Sequence, residues 1–226
     1  MKKKYQTIIL IGFILLSSKV HPQTWTRKAD FGGSGRYFAT GFVIDNKGYI
    51  GLGTDSALID KNDFWEYDPK TDTWIRKKDF PGLFIESSVG LSIGNKGYIA
   101  TDQDGNFWEY DPVLNKWTQK ADYPGPIVSA VAFSIGEKGY IATGEYSRQL
   151  WEWDGDEGSS TYNTWTPKAP FPPLAGRYGA TAFSIGTKGY VATGTDGNSE
   201  QRDLWEWDGD TASETYNTWT QKASIP

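Results

Sequence analysis

Residues 64–74 read FWEYDPKTDTW and residues 107–117 read FWEYDPVLNKW, and the phrase returns as LWEWDGDEGSSTYNTW from Leu150 and LWEWDGDTASETYNTW from Leu204. A chain that spells one aromatic phrase four times is built from copies of one supersecondary unit, each too small to bury its own rings and each completed by a neighbour. A second marker, a Trp followed by a basic or polar stretch, recurs at Trp25, Trp74, Trp117, Trp165 and Trp219, with separations of 49, 43, 48 and 54 residues. A third, Lys-Gly-Tyr, recurs at Lys47, Lys96, Lys138 and Lys188. A period near 50 is that of a propeller or a similar array.

Every local signal inside one repeat is strand-like. Phe38–Ile44 (FATGFVI) is the first run, the turn Asp45-Asn46-Lys47-Gly48 leads into Tyr49–Gly53, Phe64–Tyr67 is the third run, and Trp74 begins the fourth. Asn-x-Gly and Asp-Pro stretches between β-branched and aromatic runs are hairpin punctuation. Outside residues 1–23 no stretch keeps a helical period. Four antiparallel strands, here called a to d, make one propeller blade.

The aromatic positions explain the repetition. Trp65 and Tyr67 are two apart, so on a strand they share a face, as do Trp108 and Tyr110, Trp151 and Trp153, and Trp205 and Trp207. Each ring buries roughly 150–250 Å². With the Trp of strand d, every repeat has three rings to press against the next one.

The chain opens MKKKYQTIILIGFILLSSKVHPQ, a Lys-rich start and an apolar stretch from Ile8 to Leu16. That stretch is short for a bilayer span and suits a secretory signal peptide over residues 1–23, cleaved between Ser18 and Gln23, with an uncleaved anchor as the alternative. Cleavage removes Lys2, Lys3, Lys4, Lys19 and His21 but no carboxylate. The 23 basic and 28 acidic side chains then become 19 and 28, a net charge of −9, with no His and no Cys. Phosphate binding needs a basic footprint, so nucleic acid is not expected as a partner, nor is an anionic membrane surface. An exported chain without cysteine has no disulfide framework and must be stabilised by burial. The expected location is outside the cell or in the periplasm or cell envelope, with no membrane insertion after cleavage.

In these features the sequence resembles the kelch-repeat β-propellers, over residues 25–226. The expected fold is all-β: a kelch-type propeller of four complete four-stranded blades plus one extra N-terminal strand at Trp25. The domain runs over 24–226, with repeats over 25–73, 74–116, 117–164 and 165–226. Kelch repeats carry a Gly-Gly pair after strand b. Here Gly53, Gly144 and Gly194 have no adjacent glycine, and the second repeat has Thr101-Asp102 instead. Because kelch rings have six or seven blades, three readings compete: a four-bladed ring with a spare strand, an open piece of a larger ring, or a chain that self-associates to complete one. The open reading is preferred, since unpaired blade faces are a liability.

In an antiparallel blade the a–b and c–d turns share one end and the b–c and d–a loops the other. The a–b turns DNKG, GNKG, GEKG and GTKG hardly vary, whereas the b–c and d–a loops do, so the binding surface is expected on the d–a/b–c face. Glu66, Glu109, Glu152 and Glu206 occur in every repeat and read as framework. Alignment on Lys-Gly-Tyr places Arg36, Ile85, Ile127 and Arg177 in one column and Tyr37, Glu86, Val128 and Tyr178 in the next. The candidate ligand-binding residues are Arg36, Tyr37, Glu86, Arg177 and Tyr178, with Tyr146 and Arg148 of the third b–c loop. Arg offers a planar fork for an anion and Tyr a face for a sugar. The competing reading has each Arg tying one blade's loop to the next.

Asp102-Gln-Asp104-Gly-Asn106 and Asp154-Gly-Asp156-Glu157 are dense in oxygen but match no full calcium loop, so turn chemistry is preferred and no metal or cofactor is expected. The c–d loop is five residues longer in the third and fourth repeats (Asp154 to Trp165 against Asp68 to Trp74), a protein contact or an inherited duplication. No catalytic constellation is present. Galactose oxidase shares the kelch architecture, but its copper ligands include His and its cross-link needs Cys, and both are absent after residue 23. The expected function is an exported interaction module with a carbohydrate or protein partner. The rival is a sugar mutarotase resembling the kelch N-acetylneuraminate epimerases, which needs Arg36, Arg177 and Glu86 around one pocket.

Overall fold

The computed structural model describes residues 25–82, 87–102 and 105–226. Among them are only strands. The first repeat contains β1 (Arg36–Tyr37), β2 (Thr40–Ile44), β3 (Lys47–Gly51), β4 (Thr54–Asp55), β5 (Phe64–Asp68) and β6 (Thr73–Arg76). The second contains β7 (Ser88–Ile93), β8 (Lys96–Thr101), β9 (Phe107–Asp111) and β10 (Lys116–Gln119). The third contains β11 (Ala130–Ile135), β12 (Lys138–Thr143), β13 (Leu150–Asp154) and β14 (Trp165–Pro167), and the fourth β15 (Thr181–Ile185), β16 (Lys188–Ala192), β17 (Leu204–Asp208) and β18 (Trp219–Lys222).

Each repeat folds into one four-stranded antiparallel meander, in the orders β2-β3-β5-β6, β7-β8-β9-β10, β11-β12-β13-β14 and β15-β16-β17-β18, while β1 and β4 form a small two-stranded sheet. Registers repeat with the sequence: Tyr49 faces Glu66, Tyr98 faces Glu109, Tyr140 faces Glu152 and Tyr190 faces Glu206. The a–b turns are two-residue loops. Asp45 and Asn46 both take left-handed φ (49° and 62°), as a type I′ turn requires, whereas Gly94, Gly136 and Gly186 (54°, 56° and 58°) fill the first position in the other three.

The sheets stack in chain order, in a propeller-like arrangement. The innermost strands touch in sequence, β2 with β7, β7 with β11 and β11 with β15; no contact joins β15 back to β2 among the described residues. Three buried clusters fill the joints. The first gathers Phe42, Tyr49 and Phe64 from one sheet with Ile99, Tyr110 and Trp117 from the next. In the second, Leu91, Tyr98 and Phe107 meet Ile141 and Trp153. Phe133, Tyr140 and Leu150 meet Val191 and Trp207 in the third.

Lys-Gly-Tyr recurs for a steric reason. The inner-strand side chain of one sheet lies on the glycine of the next: Phe42 on Gly97, Leu91 on Gly139 and Phe133 on Gly189. A Cβ on Gly139 would already stand 3.2 Å from Leu91 Cδ1, and one on Gly97 or Gly189 would overlap the phenyl ring. Glycine is the seat, and the large side chain of the preceding sheet fills it.

A polar clamp accompanies each seat. Four residues beyond each strand-d Trp position, the chain leaves its sheet and is gripped at both backbone groups by the following one. Ala29 N–H donates to Asp72 (3.0 Å), and its carbonyl accepts from Trp74 Nε1 (3.1 Å). Lys78 is held likewise by Asn115 and Trp117, Ala121 by Asn163 and Trp165, and Ala169 by Asn217 and Trp219. The longer third and fourth c–d loops brace the same joints. They bring Tyr162 and Tyr216 onto the ammonium groups of Lys120 (2.8 Å) and Lys168 (3.0 Å) of the preceding sheet.

The strand-c glutamates are framework. Buried Glu66 accepts from Lys47 (2.6 Å) and Tyr49 (2.9 Å) and pairs with Lys77 (3.1 Å); Glu109 repeats this with Lys96, Tyr98 and Lys120. Burial disfavours both carboxylates' charge, but the hydrogen bonds from these lysines and from Tyr49 prevail and hold both pKa values below the ordinary glutamate range.

Two expectations are corrected. The extra N-terminal strand does not form: residues 25–30 carry no strand, and Trp25 is fully exposed. A fourth strand needs a strand c to pair with, and no described strand precedes it; the segment is held at Ala29 instead. The first run is also shorter than Phe38–Ile44. Phe38 takes φ 57° and is a corner, so the strand starts at Thr40.

Candidate functional site

The b–c and d–a loops meet at one end of the stack, on a backbone rich in left-handed residues. After strand b stand Leu52-Gly53, Thr143-Gly144 and Thr193-Gly194, with φ of 59° and 88°, 62° and 82°, and 60° and 78°. Each pair makes a double left-handed step, and the non-glycine residue at its first position costs roughly 1–2 kcal/mol. Only the second position is sterically closed. A Cβ on Gly53 would stand 2.5 Å from the Tyr37 carbonyl oxygen, and one on Gly194 would stand 2.7 Å from that of Tyr178. This close approach pairs Tyr37 with Thr54 and Tyr178 with Thr195, bringing each d–a loop onto the b–c loop of its own sheet.

Arg36 and Arg177 do not present their guanidinium groups to solvent. The Arg36 side chain is 4% exposed and forms a two-pronged pair with Asp63, Nη1 to Oδ1 at 2.6 Å and Nη2 to Oδ2 at 3.0 Å. Its other N–H groups reach the carbonyls of Ser34 and Leu52. Burial opposes ionisation of Asp63, yet the hydrogen bonds from Arg36 and Trp65 hold its pKa below the ordinary aspartate range. Arg177 is 2% exposed, pairs with Asp203 and lies over the Phe171 ring, as Arg36 lies over Phe31. Arg148 points its Nε at the Phe171 carbonyl (2.8 Å) and joins its b–c loop to the next d–a loop.

A sequence signal marks these arginines as structural. The residue before each strand c is Asp63, Asn106, Gln149 or Asp203, and the aligned column reads Arg36, Ile85, Ile127 and Arg177. Arg occurs only where the facing residue is a carboxylate. In every case but the second the acceptor also takes the strand-c indole N–H: Trp65 to Asp63, Trp151 to Gln149 and Trp205 to Asp203.

The aromatic candidates are different. Tyr146 and Tyr178 stack with ring centroids 5.5 Å apart and planes at 26°, and both rings remain substantially exposed, at 46% and 38%. Tyr146 lies on the third b–c loop with φ 58°, next to left-handed Glu145, and its ring passes 3.4 Å from the Cβ position of Gly197 on the fourth b–c loop. Three loops thus hold one platform. The equivalent place on the first repeat carries a second exposed aromatic pair, Tyr37 and Phe38, edge to face at 5.0 Å, with Phe38 also left-handed. Large residues on left-handed backbone cost energy and gather where function requires them. The exposure and left-handed backbone of Phe38 were missed in the sequence because it reads as the start of a strand.

Glu86, Ile85 and Asp104 lie outside the described residues. The other acidic stretch uses its own oxygens: buried Asp154 accepts from the Ser159 hydroxyl (2.7 Å), the Thr161 hydroxyl (2.6 Å) and Asp156 N–H (3.0 Å) and pairs with Lys138 (2.9 Å). Burial opposes its ionisation, but those hydroxyls and the ammonium hold its pKa far below the ordinary range. Among the described residues no cluster of three metal-ligating side chains occurs. The inner strands of all four sheets border an open cavity of about 480 Å³, lined by small and apolar residues from Gly41 to Ser184 with no charged group.

No protein-family model matches the sequence, and comparison with curated proteins gives no match. The fold is similar to a solved structure described as "Structure of YjhT", with a TM-score of 0.72 and 18% identity over 89% of this chain and 74% of that one. At that identity the likeness concerns the fold alone.

Proposed function

We propose that the protein is an exported, kelch-type propeller module that binds carbohydrate on the stacked Tyr146–Tyr178 platform. The observation that carries this reading is a stacked, exposed aromatic pair held by three loops on left-handed backbone. A tyrosine face offers a pyranose ring apolar C–H contact with little entropy to lose, and the phenolic O–H groups offer hydrogen bonds at the rim. The signal-peptide character of residues 1–23 and the surplus of acidic side chains fit a neutral glycan outside the cell. The mutarotase reading gains no support, because both arginines it requires are committed to Asp63 and Asp203.

A glycan array probed with the chain from residue 24, beside a Tyr146→Ala/Tyr178→Ala variant, tests the proposal. Binding to a defined glycan set that the double variant loses supports it. Binding that survives the double variant, or none to any glycan, contradicts it, and the second outcome with capture of one defined envelope protein favours a protein partner.

A further inference from the structure

The first and fourth repeats carry the same frame at the loop end. Tyr37 and Tyr178 share one column, pair with Thr54 and Thr195, and are each followed by a left-handed corner that leads into the inner strand. The corner residue is Phe38 (φ 57°) in the first repeat, Ser129 (φ 55°) in the third and Gly179 (φ 63°) in the fourth. A Cβ on Gly179 would meet nothing within 4 Å, so the backbone, not a neighbour, selects the residue there. A bulky phenylalanine is the least suited of the three to that backbone. Burial does not explain it. The ring is 63% exposed, and the one ring pair it makes among the described residues is with Tyr37, itself 46% exposed. An apolar ring kept in water on unfavourable backbone gives up stability, as residues at ligand clamps do.

The pair is also held in place before any ligand arrives. Tyr37 ends β1, which pairs with β4, and Arg36 beside it is fixed by Asp63 and by the carbonyls of Ser34 and Leu52. The loop beyond β4 is closed by Asp55, which accepts from Ala57 and Ile59 N–H and pairs with Lys61 at 2.6 Å. Phe38 stands two residues before β2 and Tyr178 three before β15, and those two strands border the same open cavity with no contact between them. The two aromatic pairs therefore stand at the same end of one cavity, apart from each other. Resting on the carbohydrate reading of the Tyr146–Tyr178 platform, we infer that Tyr37 and Phe38 form a second sugar subsite, and that the ligand is an oligosaccharide chain laid across the cavity mouth from one pair to the other. A single sugar covers one pair. A chain that reaches both makes its second contact within the same complex, where the effective concentration is high.

Affinities of the chain from residue 24 for homo-oligomers of glucose, galactose, mannose and N-acetylglucosamine, each from monomer to hexamer, test the inference. The wild type binds the longer members of one series at least about tenfold more tightly than its shortest. Phe38→Gly, the residue the fourth repeat uses at this corner, keeps the backbone and the circular dichroism spectrum and removes that gain. Tyr37→Ala removes it too, and both variants keep the wild-type affinity for the short members. Tyr146→Ala/Tyr178→Ala lowers affinity at every length. Affinity that does not rise with length, or a rise that survives both Phe38→Gly and Tyr37→Ala, overturns the second subsite and leaves the first platform standing. No binding in any series overturns both.

Discussion

The Phe133 ring rests on the α-carbon of Gly189, so closely that a methyl group on that glycine would overlap it. The same relationship joins Phe42 to Gly97, and it turns a three-residue marker into the register of the whole stack. Gly189→Ala is expected to cost about 1–3 kcal/mol by overpacking. Gly48→Ala, where among the described residues a Cβ would meet only Tyr67 Cβ at 3.9 Å, should change stability by less than about 0.5 kcal/mol. Urea unfolding of the two variants makes the comparison.

The Arg36–Asp63 pair predicts a rescue. Arg36→Ile alone strands a buried carboxylate and should cost about 3–5 kcal/mol. Adding Asp63→Gln copies the Ile127 and Gln149 arrangement of the third repeat and restores an acceptor for the Trp65 indole. The double variant should recover most of the loss. If Arg36 serves a ligand instead, the single variant will be nearly as stable as the wild type.

Much of this was legible in the sequence, for reasons particular residues make plain. Four strands per repeat follow from period-2 aromatics and two-residue turns. The inter-sheet role of Trp108, Tyr110 and Trp117 follows from rings that one sheet cannot bury, and the framework role of Glu66 and Glu109 from repetition. What escaped is chemistry between distant loops. Arg36 and Asp63 are 27 residues apart, and only their co-occurrence with Arg177 and Asp203 marks them as partners. The N-terminal strand was over-read because a strand signal at Trp25 says nothing about whether a partner strand exists. The left-handed Leu52 and Phe38 were invisible because neither residue type announces that backbone.

The clamps separate backbone shape from hydrogen bonding. Asn217 takes φ 59°, and its carbonyl accepts from Ala169 N–H (2.8 Å) and Trp207 Nε1 (3.2 Å). Asn217→Gly keeps the backbone and removes both bonds, leaving buried donors unpaired. The expected loss is about 1–3 kcal/mol, measured by thermal or urea unfolding.

Stability should depend on pH with a broad plateau. The folded pKa values of Glu66, Glu109, Glu206, Asp63, Asp154 and Asp208 lie below their unfolded values: burial opposes each, and the facing lysines, Arg36, tyrosines and hydroxyls outweigh it. Their contribution is complete above the unfolded values of 4.5 for Glu and 3.8 for Asp and falls as pH drops through the folded ones. On the alkaline side, burial and the Glu109 charge raise the Tyr98 pKa, and hydrogen bonding to Glu109 raises that of Lys96. Their contribution is complete below the unfolded values of 10.0 and 10.5 and is lost above them. Melting temperature followed from acid to alkaline buffer should be flat between those limits and fall on both sides.

The central claim is that the four sheets stack in one order, each seated on the next. Phe133 and Phe183 hold the same strand position and differ only in whether a sheet covers them, so the free energies of unfolding of Phe133→Ala and Phe183→Ala in the monomer test it most directly. The account predicts a loss of about 3–5 kcal/mol for the first, the cost of deleting a buried phenyl ring, and less than about 1 kcal/mol for the second. Equal losses at the two positions would contradict it.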